Sequence, residues 1–256
     1  DILLAKVKGI FKRRYDIEKI VEGNLILNTA QQILTVGKKE YELTVEITNP
    51  IIDTNNRFLL MAEKGKQKIY LISGNNIFWE KELEGNISRV SVNKNGYVSV
   101  ILTGTTHKSI VQIFDSTGKE MFKTYLSSSI AVDSDISYDN KYLSFAEIST
   151  NGTLVQSMVK TISIQKAQQT PSEAIISAIN SPSDSTIINL KYHDGNRLIC
   201  MYDDSIYSIY NQKVEELINL EEEGKKISFA FIELSNFAFR IVEESILLST
   251  ESKVEL

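Results

Sequence analysis

Cysteine, histidine, proline and tryptophan are all scarce in this sequence, and each scarcity excludes a kind of protein. The 256 residues include 1 Cys, 2 His, 3 Pro and 1 Trp. A single Cys forms no intramolecular disulfide, and Cys200, between Ile199 and Met201, is predicted to be a buried apolar side chain. His107 and His193 have no second His or Cys at ligand spacing, so we expect no metal site.

Long apolar runs, excess positive charge and catalytic motifs are missing as well. No segment approaches the roughly 18 continuous apolar residues of a membrane span. The net charge of −5 argues against nucleic acid as a partner, because binding its phosphates requires a basic face. The chain has neither a Gly-rich phosphate loop nor a Gly-x-Ser-x-Gly elbow. We therefore predict no cofactor and no catalytic residue.

The sequence contains a short motif that recurs six times. The motif is a pair of turn residues rich in Asn and Gly, followed by an apolar run. The second residues of the six turn pairs are Asn24, Asn56, Gly96, Asn140, Asn196 and Asn236. They are separated by 32, 40, 44, 56 and 40 residues, close to the roughly 40–45 residues of a four-stranded propeller blade. The repeat predicts an all-β chain, a β-propeller of four-stranded antiparallel blades. Six repeats are visible, and the number rises to seven or eight if the natural chain is longer.

Each repeat also contains strands of its own on both sides of the turn pair. Apolar and polar residues alternate with a period of two, which is typical of half-buried antiparallel strands. Short first strands such as Ile136–Tyr138 precede the turn, and third strands such as Ser109–Phe114 follow it. The predicted fourth strands are Glu40–Val45, Ile77–Leu83 and Glu120–Leu126. The propeller is therefore assigned to residues 16–256.

Residues 1–15 form a basic amphipathic segment rather than a blade. Leu3, Val7, Ile10 and Phe11 recur at helical spacing, with Lys and Arg residues on the other face. We predict a short N-terminal helix and leave three roles open: packing on the propeller, a linker from a membrane anchor upstream of Asp1, or a strand that closes the ring. At the other end the last predicted strand is cut short, which favours blades beyond Leu256.

The longest interval contains an insertion at residues 165–185. We predict a polar loop, a fourth strand at Ala174–Ile179 and a second loop. Long loops on rigid scaffolds often carry binding sites, and a tolerated surface insertion is the alternative; deletion of Gln165–Ser172 is expected to leave the fold intact.

Trp79 is predicted to pack between blades, with a ligand platform as the alternative. The run Glu221–Glu223 is interpreted as a solvated connection, because it lacks the alternating ligands of a calcium loop.

Several stretches resemble known repeats. The hairpins Arg89–Val98 and Asp135–Ser144 look like the first hairpin of WD40-like blades, and Asp115–Phe122 and Gly74–Glu80 resemble the turn and strand of quinoprotein-type (YVTN-like) repeats. Through Gly152–Ser157 and Leu198–Asp203, residues 16–256 resemble an uncharacterised family of WD40-like propellers from Gram-positive anaerobes. That resemblance implies a membrane-anchored, extracytoplasmic propeller, with a cytoplasmic location left open. It supplies no catalytic residues.

These observations predict a non-enzymatic scaffold that binds a protein or cell-surface partner through loops on one face. The alternative is a propeller enzyme, either quinone-dependent and dehydrogenase-like or carbohydrate-active. Carboxylates contributed by different blades keep the second enzyme class open. A purely structural spacer is the third possibility. The partner-binding residues and the oligomeric state are not predicted.

Overall fold

Strands account for almost all of the regular structure in a computed structural model of the chain. The structure describes residues 47–219 except 48, 56–57, 74–75, 150–154, 183–184 and 194–195. Outside this range it describes the backbone of seven strands. Residues 1–15, the run Glu221–Glu223 and Leu256 lie outside the described residues, so the predictions made for them stay predictions.

The described strands form six antiparallel sheets that follow the predicted repeat, here called blades 1 to 6. Blade 1 contains β1 (Leu25–Asn28), β2 (Ile33–Val36) and β3 (Lys39–Glu42). Blade 2 contains β4 (Pro50–Asn55), β5 (Phe58–Glu63), β6 (Lys68–Ser73) and β7 (Asn76–Glu82). Blade 3 contains β8 (Asn86–Val92), β9 (Val98–Thr103), β10 (Ser109–Phe114) and β11 (Glu120–Leu126).

The remaining three blades have the same four-stranded order. Blade 4 contains β12 (Ser129–Ile136), β13 (Tyr142–Ser149), β14 (Gln156–Ser163) and β15 (Ile175–Asn180). Blade 5 contains β16 (Ile187–His193), β17 (Arg197–Tyr202), β18 (Ser205–Tyr210) and β19 (Lys213–Asn219). Blade 6 contains β20 (Ile227–Ile232), β21 (Asn236–Ile241), β22 (Glu244–Ser249) and β23 (Lys253–Glu255).

Blades 2 to 6 are four-stranded meanders in which consecutive strands pair, so the first and third strands of each run in the same direction. The turns after the first and third strands therefore lie on one face of the ring, here called the upper face. The first strands of blades 2 to 6 pack against one another in order, β4 on β8, β8 on β12, β12 on β16 and β16 on β20. This places the first strands at the centre of the molecule and the fourth strands at its rim.

A β-bulge recurs at one position of the first strand. The register shifts between Ile87 and Arg89 in blade 3 and between Ala131 and Asp133 in blade 4. Equivalent shifts occur in blades 5 and 6, and each extra residue lies eight positions before the second residue of the turn pair. Bulges increase local twist and redirect side chains, so the repeat is preserved in backbone geometry as well as in sequence.

The recurring turn residue attaches its blade to the preceding one. Asn140 and Asn196 have φ near 60°, the left-handed region that Asn tolerates better than most residues. The Oδ1 atom of Asn140 accepts hydrogen bonds from Asn93 and Asn95 of blade 3. Oδ1 of Asn196 accepts one from the backbone N–H of Tyr138 in blade 4. The repeated Asn is therefore both a turn former and a link between blades.

Apolar residues fill the spaces between adjacent blades. Three clusters of buried side chains lie between blades 2 and 3, 3 and 4, and 4 and 5. Trp79 on β7 belongs to the first cluster and lies 5.9 Å from the ring of Phe114 in blade 3. The prediction that Trp79 packs between blades is confirmed.

Two local predictions are wrong. The first strand of blade 4 ends at Ile136 instead of Tyr138, because the Ser137 and Asp139 side chains accept the N–H groups of the turn. The expected polar loop at 165–173 contains helix α1 (Ile164–Gln169) and a 3-10 turn (Pro171–Glu173). Ile164, Ala167 and Ala174 are buried in the core between blades 3 and 4.

Among the described residues, no helix has both the length and the apolar character needed to cross a bilayer.

Candidate functional site

A charged cluster occupies the centre of the ring. It combines Asp53 of β4, Ser91 of β8, Asp135 of β12 and Lys191 of β16, one residue from each of four successive blades. The Lys191 Nζ atom donates to Asp53 Oδ2 at 2.9 Å and to Ser91 Oγ at 2.8 Å, and lies 3.5 Å from Asp135 Oδ1. Ser91 Oγ is 2.6 Å from Asp135 Oδ1. The cluster joins blades that are not neighbours in sequence.

Backbone groups complete the cluster. The N–H of Val92 donates to Asp53 Oδ2, and the N–H of Tyr192 donates to Asp135 Oδ2 at 2.7 Å. Burial raises the pKa of Asp135, while the Lys191 ammonium group acts in the opposite direction. Two carboxyl groups and one ammonium group share this buried volume, and burial of the surplus negative charge is costly. The cluster therefore holds the blades together at an electrostatic cost.

Sequence reasoning missed this cluster, and it did not anticipate that three acidic residues, Asp53, Asp133 and Asp135, are buried. A signal was present, because Ser91, Asp135 and Lys191 each lie five residues before the second residue of their turn pair. The three residue types differ, so the shared position is visible only after the repeats are aligned on their turns.

A second site is an open cavity of about 420 Å³ between blades 4 and 5, here called the blade 4–5 cleft. Its walls come from turns on the upper face and from the strands below them. Asp139 and Asn196 lie in the turns after β12 and β16, and Asn211 and Gln212 form the turn between β18 and β19. Ile176 and Ser177 of β15, just after the insertion, form part of the opposite wall.

The lining of the blade 4–5 cleft combines aromatic and neutral polar residues with three aliphatic ones, Ile176, Leu198 and Ile209. The aromatic groups are Tyr142, Tyr192 and Tyr210. The Tyr192 hydroxyl lies 2.8 Å from Ser144 Oγ, which lies 2.8 Å from Thr161 Oγ1. Burial raises the pKa of Tyr192, so its phenol stays protonated at neutral pH. The Tyr192 hydroxyl is therefore a neutral hydrogen-bonding group of the cleft wall.

Asp139 supplies the negative charge of the blade 4–5 cleft. Burial acts to raise the pKa of this carboxyl group, but hydrogen bonds from Ser137 Oγ and the Lys141 N–H outweigh it, and the pKa lies below its usual value. The Lys141 ammonium group lies 3.3 Å from Asp139 Oδ2. Asp139 is therefore an ionised hydrogen-bond acceptor whose charge is largely balanced.

The turn at the mouth of the cleft has an unusual backbone. Asn211 and Gln212 have φ of 49° and 64°, and Tyr210 pairs with Lys213 on either side of them. Two left-handed residues in a two-residue hairpin define a type I′ turn, whose second position favours Gly. Gln at that position is strained, and it brings an amide to the cleft instead.

The residues that the sequence singled out for possible chemistry do not come together. His107 lies in the turn between β9 and β10 on the lower face, where its Nδ1 atom is 3.1 Å from Ser127 Oγ. His193 ends β16 at the upper face and is buried. Cys200 is fully buried, and burial raises the pKa of its thiol, which confirms that it is an apolar core residue. Across the described residues, no group of three or more His, Cys, Asp or Glu side chains forms a potential metal site.

The fold and the blade arrangement define the class of protein: the chain is a β-propeller. Residues 22–256 match the model of a family of unknown function, DUF5711, and the chain belongs to that family. The sequence predicted an uncharacterised family of propellers, and the chain belongs to a family of unknown function and shares its fold with solved propeller structures. No curated protein matches the sequence.

Solved structures share the fold at low sequence identity. The β-propeller domain of Cps50 (Swd1) from Myceliophteria thermophila has a TM-score of 0.59 and 11% identity, and the match covers 91% of this chain and 84% of that one. Hydrazine synthase from Kuenenia stuttgartiensis has a TM-score of 0.57 and 11% identity, covering 89% and 73%. A putative TolB from Agrobacterium tumefaciens has a TM-score of 0.51 and 12% identity, covering 80% and 79%. These similarities establish the propeller fold.

Proposed function

We propose that this propeller is a non-enzymatic binding module, a scaffold for a protein or cell-surface partner, and that the blade 4–5 cleft is its binding site. The observation that carries the proposal is the composition of the cleft wall. Three tyrosines and three side-chain amides line one concave volume. Such a wall offers contact area and hydrogen bonds, whereas proton transfer at neutral pH needs a group whose pKa lies near 7.

The central cluster supports a scaffold rather than a catalytic role. Its carboxylates and ammonium group are bonded to one another and to backbone N–H groups. Asp53 and Asp135 are buried, and a carboxylate held in this way is committed to stability and not presented to a substrate. The charged groups that propeller enzymes could use are here part of the framework.

The insertion in blade 4 leads into one wall of the proposed site. Helix α1 and the 3-10 turn run directly into β15, and they lie on the same face as the cleft because they follow the third strand. Ile176 and Ser177 of β15 line the cleft, whereas the helix itself packs on the core between blades 3 and 4. The insertion therefore borders the proposed site without lining it.

A photo-crosslinking experiment tests this function. A benzophenone amino acid is placed at Ser177 of β15, which lines the cleft, or at Tyr125 on β11 of blade 3, which is 48% exposed and is not a cleft-lining residue. The tagged protein is expressed in cells of the source organism, irradiated and recovered. We expect a discrete adduct from position 177 and none from position 125, because only the first of these positions lines the cleft. The same adducts from both positions, or none from either, would exclude the cleft as the binding site.

We also propose that the propeller acts outside the cytoplasmic membrane, to which an anchor holds it. The support is the resemblance of Gly152–Ser157 and Leu198–Asp203 to anchored propellers. A membrane-impermeant amine reagent should label this protein in intact cells to the same extent as in lysed cells. Labelling that requires lysis would place it in the cytoplasm.

A further inference from the structure

We propose that the blade 4–5 cleft binds a neutral carbohydrate. This inference rests on the binding function proposed above and names its ligand class. A sugar ring presents an apolar face of C–H groups and a rim of hydroxyl groups, each of which donates and accepts hydrogen bonds. A complementary site therefore needs an exposed aromatic ring, several polar side chains of both hydrogen-bonding types, and little net charge.

Tyr210 provides the aromatic ring. Its side chain is 44% exposed at the cleft, and the Arg197 guanidinium group packs 5.6 Å from the ring centroid. Arg197 is in turn held by Glu215 at 3.1 Å and by Ser208 at 3.0 Å. A ring fixed in this way loses little freedom when a ligand stacks on it, which favours binding.

Three side-chain amides supply the polar groups. Asn196 uses its Oδ1 atom to accept from the Tyr138 N–H, so its Nδ2 atom is available to a ligand. The amides of Asn211 and Gln212 make no hydrogen bond to any other part of the chain that the structure describes. Each offers both a donor and an acceptor, and the ionised Asp139 adds a stronger acceptor.

Charge and size select among the ligands that these groups could hold. Asp139 is the one charged side chain among the cleft-lining residues, and the adjacent Lys141 offsets it. Phosphate or carboxylate groups on a ligand would therefore add no favourable charge interaction with the cleft. Its volume of about 420 Å³ lies within the range of roughly 300–1,000 Å³ typical of small-molecule sites, which fits a short oligosaccharide better than a folded domain.

The strained turn is an independent observation in favour of the site. Gln212 has φ of 64° at a position where Gly would remove the strain. Strained residues persist where the local structure serves a function, and Gln212, unlike Gly, adds a side-chain amide to the cleft lining. Gln212→Gly should therefore weaken ligand binding while leaving the protein at least as resistant to urea.

Saturation-transfer NMR with three trisaccharides, maltotriose, cellotriose and tri-N-acetylchitotriose, tests the inference. We expect transfer to the C–H protons of at least one of them, abolished by Tyr210→Ala and weakened about fivefold in affinity by Gln212→Gly, the loss of one hydrogen bond. The matched control is Tyr125→Ala, which removes an equally exposed tyrosine from blade 3. Uridine and tetra-alanine serve as ligands of other classes.

Each outcome decides the question. No transfer to any of the trisaccharides, or equal transfer in wild type and Tyr210→Ala, overturns the carbohydrate assignment. Stronger transfer to uridine or tetra-alanine than to every trisaccharide also overturns it. In those cases a position-specific adduct at Ser177 would still support the binding module, because photo-crosslinking does not depend on the class of the partner.

Discussion

At the scale of single residues, the repeated turn position shows how one requirement is met in two ways. Blades 4 and 5 use Asn, whose side chain bonds to the preceding blade. Blade 3 has Gly96 instead, with φ of 80°. A Cβ atom at Gly96 would lie 2.8 Å from Cζ of Phe58 in blade 2, so an aromatic side chain of the neighbour fills the space that Asn would need.

Gly96→Ala is therefore expected to destabilise the protein for two reasons, and Gly65→Ala separates them. Gly65 has φ of 77°, but a Cβ atom added there would meet nothing within 4 Å, so its replacement adds only backbone strain, roughly 1–2 kcal/mol. Gly96→Ala adds the clash with Phe58, about 1–3 kcal/mol more. Urea unfolding measures the loss of stability caused by each substitution. In a Phe58→Leu background, the difference between the losses at Gly96 and Gly65 should become smaller. Equal costs at the two glycines would contradict this packing.

Asp135 gives the protein a pH dependence with a definite sign. Its pKa is raised in the folded state by burial, above the usual value of about 3.9. The protonated Asp135 contributes fully to the free energy of unfolding below about pH 4, and this contribution is lost as the pH rises through the folded-state pKa. Relative to Asp135→Asn, wild type should become less stable between pH 4.5 and pH 8. Urea unfolding at several pH values gives the stability of each protein. A wild-type stability that rose with pH relative to Asp135→Asn would refute this prediction.

At the scale of elements, the strands follow from local signals and the insertion does not. Alternation with period two and the Asn and Gly turns predicted β7, β10 and β11 to within one residue. The segment Gln165–Gln169 is polar and short, so helix α1 gave no periodic signal. Its formation depends on two tertiary contacts, those of Ile164 and Ala167 with the core, and tertiary contacts are not visible in a local pattern.

The blade 4–5 cleft was equally invisible to the sequence, for a different reason. Its lining comes from strands and turns of two blades, between Asp139 and Gln212. Tyr and Asn at those positions are ordinary strand and turn residues when each element is considered alone. The hypothesis that the long insertion carries a binding site pointed to this part of the chain, because Ile176 and Ser177 of its predicted strand line the cleft. The site depends on the angle between blades, which no single element determines.

Helix α1 should contribute to stability through one small side chain. Ala167 is buried between α1 and the core of blades 3 and 4, so Ala167→Glu places a charge in apolar surroundings and should cost roughly 2 kcal/mol or more. Gln165→Glu makes the same kind of change at an exposed position of α1 and should leave the urea midpoint unchanged. Equal midpoints for the two variants would restore the interpretation of this segment as a dispensable loop.

At the scale of the whole molecule, the blades are connected in sequence order at the surface and out of order at the centre. Surface turns join each blade to its neighbour, as between blades 3 and 4 and between blades 4 and 5. The central cluster adds direct bonds from Lys191 in blade 5 to Asp53 in blade 2. Such a contact requires the ring to be assembled, so it couples the unfolding of distant blades.

Lys191→Ala tests this coupling, because the chain carries its own reporter. The variant leaves two buried carboxylates without their cation, and breaking a buried ion pair costs about 3–5 kcal/mol. Trp79, the single tryptophan, lies in blade 2, away from the substitution in blade 5. We expect the Trp79 fluorescence and far-UV circular dichroism midpoints in urea to fall together, and Lys68→Ala, which removes an exposed ion pair with Glu80, to change neither. If the circular dichroism midpoint fell while Trp79 fluorescence kept its wild-type midpoint, blades 2 and 5 would unfold independently, and the central cluster would not bind the ring into one cooperative unit.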